Sequence, residues 1–167
     1  MRFLEANEIG AWCAQHGILL ENGNSHPAPD SALTFRKRVQ YAAGTRSGRE
    51  AEFAKASIQA IGEWSECLLW VTLWGVWPSG EDWPRYYAAR GLRDMRLSLS
   101  VAPGHWFGRG DASDLHEFLT MVLEFAWDAY LLPVPARIGT SARVEISHDE
   151  WIEVQSASAI QFISPKD

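Results

Sequence analysis

Residues 63–87 read EWSECLLWVTLWGVWPSGEDWPRYY, and this stretch decides the architecture. Five of the chain's nine tryptophans fall between Trp64 and Trp83. Leu68, Trp70, Thr72, Trp74 and Val76 would share one face of a strand, and Cys67, Leu69, Val71 and Leu73 the other. A strand that is apolar on both faces has no side to turn to water, so it belongs at the centre of a sheet with a layer on each side. Past it, Pro78-Ser79-Gly80 marks a turn, and Glu81 and Asp82 open a short helix over residues 83–90 that Gly91 stops. Alternation sends Trp70 and Trp74 into the core. Trp77 and Trp83 flank the turn instead, where rings more often meet solvent.

Upstream, residues 5–16 place Ile9, Trp12, Cys13 and His16 at helical spacing, with Gly17 at the C′ position. Residues 18–21 form a short strand, Asn22-Gly23-Asn24 a tight turn, and residues 25–31 a loop with two prolines. From Leu33 to Tyr41 the chain alternates, with Arg36, Arg38 and Gln40 on an outer basic face near a sheet edge. Ser47-Gly48-Arg49-Glu50 is a capping box for a helix that ends at Gly62.

Downstream, residues 95–101 read as extended and residues 103–108 as a turn. Residues 111–127 give the clearest helix, with Leu115, Phe118, Leu119, Val122 and Phe125 on one stripe. Residues 130–134 and 142–147 follow as strands. His148-Asp149-Glu150 then turns the chain into a returning strand at 151–155; the competing reading starts a helix there, because Ser147-x-x-Glu150 is also a capping box. The hairpin is favoured. The expected fold is a single α+β domain over residues 1–167, with a mixed, mostly antiparallel sheet, about four helices against it, a C-terminal β-hairpin, and a frayed tail over 156–167.

Composition narrows the function classes. Of the 167 residues, 47% are hydrophobic and 22% charged, ordinary for a soluble domain. Two cysteines, Cys13 and Cys67, make no disulfide framework and read as small buried hydrophobes. No Cys/His ligand spacing calls for a metal, and no nucleotide, dinucleotide or nucleophile-elbow motif calls for a cofactor. Without an apolar leader or a membrane-length apolar run, the cytoplasm is the expected location. The net charge of −6 weighs against nucleic acid. It is unevenly spread: residues 31–49 carry five basic groups and no acid, and residues 111–153 nine acids against two arginines.

Three constellations carry candidate chemistry. The first is an aromatic contact surface of Trp77, Trp83, Tyr86, Trp106 and Trp151, residue types enriched where proteins meet partners. The second is His148-Asp149-Glu150, a histidine near two carboxylates. Separately, Asp128 is a charge that sits badly at the C-terminal end of the long helix, and either a buried partner such as a tryptophan N–H or an arginine, or a role as an active-site acid, would account for it. The third is His105 on a glycine-flanked loop before the Asp111 helix start, a weak anion site whose own acids oppose an anion. Two readings follow. The chain is expected to be a non-catalytic protein-binding or regulatory module, immunity-like in kind, with an aromatic patch and an acidic C-terminal hairpin that suits a basic protein partner; a small-molecule ligand and anion binding by residues 36–49 stay open. The alternative is a small hydrolase in which His105, His148, Asp149, Glu150 and Asp128 converge in a tryptophan-lined pocket.

Overall fold

The strand at the centre of the quoted stretch runs over Trp64–Leu73, and every other element is arranged around it. The computed structural model describes residues 1–21, 25–41, 49–74, 82–92, 98–136 and 141–159. Among them the order is β1 (Arg2–Leu4), α1 (Ala6–Gln15), β2 (Leu20–Glu21), β3 (His26–Pro27), β4 (Phe35–Gln40) and α2 (Glu50–Ala60). Then come β5 (Trp64–Leu73), α3 (Asp82–Gly91), β6 (Gly104–Gly108), α4 (Ala112–Glu124), β7 (Asp128–Pro135), β8 (Ala142–Ser147) and β9 (Trp151–Ser156). Seven strands form one sheet in the order β1-β6-β5-β7-β8-β9-β4, and β2 pairs with β3 in a small second sheet. All of these pairings are antiparallel. The fold is the expected α+β arrangement with four helices and a C-terminal hairpin.

The two faces of β5 bury different layers. Cys67, Leu69 and Val71 pack with Phe53 of α2, Tyr86 of α3 and Leu115, Phe118 and Val122 of α4. Leu68 and Trp70 pack on the opposite side with Ile9, Trp12 and Cys13 of α1, joined by Leu4 and Leu132. Both cysteine thiols are buried, and burial pushes Cys13 up to about 11 and Cys67 well above its ordinary value.

Helix α1 ends as its sequence implies. Gly17 adopts φ 69°, and the N–H groups of Ile18 and Gly17 close back on the carbonyls of Cys13 and Ala14. Helix α4 ends in the same motif with an alanine: Ala126 takes φ 50°, and Trp127 N–H donates to Val122 O at 3.0 Å.

Two expectations are corrected. Residues 103–108 are not a turn, because Gly104–Gly108 is a full strand between β1 and β5. The glycine there serves close packing: a Cβ on Gly104 would lie 2.8 Å from Ile9 Cγ1 and 3.0 Å from Leu4 Cβ, so α1 can cross the strand only over a bare Cα. Within the expected extended segment 95–101, residues 99–101 turn instead, with Val101 and Ala102 N–H groups both donating to Ser98 O. The strand β1 and the two-residue β3 carried no legible signal. Ser47 of the expected capping box, the 22–24 turn and most of the C-terminal tail lie outside the described residues.

The substitution Gly104→Ala should therefore destabilise the protein by about 1–3 kcal/mol through overpacking. Urea denaturation measures it; an unchanged midpoint would show that α1 can lift from the sheet without loss.

Candidate functional site

One row of cross-strand neighbours runs over the whole sheet: Leu4, Gly104, Trp70, Tyr130, Glu145, Glu153 and Arg38. Directly opposed residues share a face, so this row samples the α1 side of all seven strands. It begins apolar under α1 and turns polar at Tyr130. Beyond β7 the same face carries Arg143, Glu145 and Ser147 of β8, Trp151, Glu153 and Gln155 of β9, and Arg36, Arg38 and Gln40 of β4.

These polar groups are ordered by one another. Arg38 donates to Glu153 through Nε at 3.1 Å and pairs through Nη2 at 2.9 Å. Gln155 Nε2 donates to the other Glu153 oxygen at 2.7 Å, and its own carbonyl accepts Arg143 Nε at 2.9 Å. Arg143 Nη1 donates to Ala28 O at 2.7 Å. Glu145, facing Glu153, accepts from Tyr130 Oη at 3.3 Å. Burial raises the Glu145 carboxyl above its ordinary value, and the Glu153 charge adds to it against the Tyr130 hydrogen bond. The guanidinium of Arg38 also lies 3.9 Å from the centroid of the half-buried Trp151 ring. The basic block of β4 and part of the acidic block, far apart in the sequence, thus lie side by side and partly neutralise each other.

At the hairpin tip, His148 donates through its backbone N–H to Asp128 Oδ1 at 2.6 Å and through Nδ1 at 2.9 Å. Its Nε2 is 3.5 Å from Asp149 Oδ1. The partner that Asp128 needed is therefore a histidine twenty residues on, not a tryptophan or an arginine. Hydrogen bonding to Asp128 raises His148 above its ordinary value. Glu150 is exposed at φ 63°, and its carbonyl accepts the Tyr41 N–H at 2.9 Å.

His105 is elsewhere. It is fully buried under the opposite face, with Nδ1 3.1 Å from Leu69 O and Nε2 2.6 Å from Tyr86 Oη. A carbonyl can only accept, so Nδ1 carries the proton and Nε2 accepts from the Tyr86 hydroxyl. Arg90, 1% exposed, donates to the same hydroxyl at 2.7 Å and to Ala102 O at 2.8 Å, with its guanidinium 3.9 Å from the Phe3 ring centroid. Burial, reinforced by the Arg90 charge, pushes His105 down to about 3.

The five residues of the hydrolase reading are thus divided between core and hairpin: Asp128, His148 and Asp149 meet at the tip, Glu150 presents only its carbonyl there, and His105 belongs to another cluster. The aromatic residues also divide. Tyr86 is in the core rather than on a surface, a correction that its own hydroxyl explains, since Arg90 and His105 give it buried partners. Trp106 is half-buried and donates to Glu66 at 2.9 Å, a carboxylate that also accepts from Trp12 at 3.2 Å. Trp77 and the Trp83 side chain lie outside the described part of the structure.

A cavity of about 400 Å³ opens beside the polar half of the face. It is walled by the end of α1 and the chain after it (His16, Ile18, Leu19), the 28–33 segment, and Leu132, Val134 and Arg143. No tryptophan among the described residues lines it. Among the described residues no group of three or more His, Cys, Asp or Glu side chains is placed to hold a metal, and no helix is long and apolar enough to cross a membrane. No protein-family model, curated protein or solved structure matches the chain.

Removing the Tyr86 hydroxyl leaves His105 Nε2 and Arg90 short of a partner, so Tyr86→Phe should cost about 1–3 kcal/mol despite its small change in volume. A loss below the error of urea titration would show the network to be idle. The two histidines also leave opposite pH signatures. His105 stays neutral where an unfolded histidine, with its ordinary value of 6.5, gains a proton, so stability falls as pH drops below that value toward about 3. The stability from charged His148 is complete below its ordinary value of 6.5 and is lost as pH rises through the raised one. His105→Gln should flatten the acid limb, by at most about 1.4 kcal/mol per pH unit, and His148→Gln only the neutral-to-alkaline limb. Urea midpoints across a pH series read both; wild-type slopes in both variants would refute the two assignments.

Proposed function

We propose that the chain is a non-catalytic, protein-binding regulatory module, immunity-like in kind, which meets its partner with the C-terminal hairpin and the neighbouring edge of the sheet. The observation that carries this reading is the division of the ionisable groups. His105 is a neutral core residue, and the His148–Asp128 pair fastens a turn instead of lining the 400 Å³ cavity. What the hairpin end offers outward is a mixed contact surface: the exposed Asp149 and Glu150, the half-buried Trp151 and the exposed Arg36 and Arg38. Aromatic and arginine side chains at the centre of a patch, with charges around them, are the composition from which binding hot spots are made. A basic protein surface fits Asp149 and Glu150, and Arg38, stacked on Trp151, would fix the register.

One observation favours a second reading. A carboxylate that holds Nδ1 of a half-exposed histidine resembles a base with its orienting partner. A hydrolase built on it would need His148 for turnover.

The test uses Arg38→Gln and Asp149→Lys, two changes at exposed side chains, with glutamine keeping a donor for Glu153. Immobilised wild-type protein should retain a specific protein from a native lysate of its source cells. Each variant should retain about tenfold less, with the thermal midpoint within a few degrees of wild type. Equal retention by wild type and both variants, or hydrolysis of an ester or phosphoester panel that His148→Gln abolishes, would refute the proposal.

A further inference from the structure

We propose that the cavity between the end of α1, the 28–33 segment and β7–β8 is a binding site for a small carboxylic acid with an apolar body. The anchor is Arg143. It is 8% exposed and lines the cavity, yet no carboxylate among the described residues lies within ion-pair distance of it. Its Nε and Nη1 are held by Gln155 and Ala28, so the guanidinium is fixed in place while Nη2 keeps its donors. A buried guanidinium whose acids, Glu145 and Asp30, stand outside ion-pair distance is incompletely compensated, and a bound carboxylate is the group that a guanidinium fork fits best.

The surroundings agree with that ligand. Ile18, Leu19, Leu132, Pro133, Val134 and Pro135 give the cavity apolar walls, and Ser31 and Ser141 add hydroxyls. Its volume of about 400 Å³ lies within the range of small-molecule sites, which combine apolar walls with a few placed polar groups. The charges that Arg143 feels are Glu145, Asp30 and Arg36. Asp30 is exposed on the cavity wall, with one carboxylate oxygen accepting the Ala32 N–H, and it opposes an anion; Arg36, on the neighbouring edge strand, favours one. Glu145 and Asp30 equal Arg143 and Arg36 in number, but neither carboxylate reaches ion-pair distance of the Arg143 guanidinium, and the residue directly opposite it on β9 is the neutral Gln155. This inference does not depend on the protein-binding reading, since the cavity residues and the hairpin tip residues are different.

The experiment is calorimetric titration of the full chain with octanoate, decanoate and hydrocinnamate, with octanol and octylammonium as controls. At least one acid should bind, and the alcohol and the amine should bind about tenfold more weakly or not at all. Arg143→Gln should weaken the acid by about tenfold or more. Because Arg143 also braces Gln155 and Ala28, a second variant guards against misfolding: Leu19 is 75% exposed at the cavity rim, so Leu19→Glu should lower acid affinity with an unchanged thermal midpoint. The proposal is overturned if none of the three acids binds at millimolar concentration, if octanol binds as well as octanoate, or if Leu19→Glu leaves the acid affinity unchanged.

Discussion

A strand with two apolar faces obliges the protein to build on both sides of its sheet, and the supply of covering material is unequal. Among the described residues, helices α2, α3 and α4 are available for one side and α1 for the other. A ten-residue helix is about 15 Å long and 10–12 Å across, whereas seven strands at about 4.8 Å spacing are close to 29 Å wide. One short helix cannot roof that width. The apolar row from Leu4 to Trp70 stops where α1's reach stops, and the next positions, Tyr130, Glu145, Glu153 and Arg38, must tolerate water or satisfy one another. The polar network is the consequence of that shortage.

This also explains what could be read from the residues and what could not. The two-faced alternation of β5 and the stripe on α4 are local patterns, repeated over many positions, and they hold over α4 and over β5 as far as Val71. An irregularity between Val71 and Leu73 then leaves Leu73 exposed and packs Trp74 on the side of Leu69 and Val71, not on that of Trp70. The hairpin at 148–150 prevailed over the competing capping box because the Ser147 hydroxyl accepts the Asp149 N–H, a bond that closes a turn as readily as it caps a helix. The strand β6 was hidden by its own requirement for glycine. Gly104 and Gly108 look like turn residues, while the reason for Gly104 is Ile9, nearly a hundred residues away in the chain.

The candidate site was less legible, for the same reason. Asp128 was rightly singled out as a charge in need of a partner, but His148 becomes that partner only through the pairing of β7 with β8. His105 looked like a loop ligand and is a core residue, since nothing local in Gly104-His105-Trp106 reveals Tyr86 and Arg90 above it. Arg143 gave no signal at all. Its position follows from Gln155 being opposite it on β9 and from the loop that carries Ala28, neither of which is near it in sequence.

The hairpin tip is fastened from two directions. Asp128, placed by the abrupt left-handed exit of α4 at Ala126, grips His148 from below. From the side, Tyr41 donates its N–H to Glu150 and its hydroxyl to Ser147. A turn at the end of a two-stranded ribbon normally keeps much of its conformational freedom, and whatever docks on it must remove that freedom at a cost of roughly 0.5–1.5 kcal/mol for each side chain ordered. Here the ordering was completed when the chain folded. A molecule that lands on this tip meets a surface already cast in its final shape, so the energy of each contact goes into residence time instead of into stilling the loop.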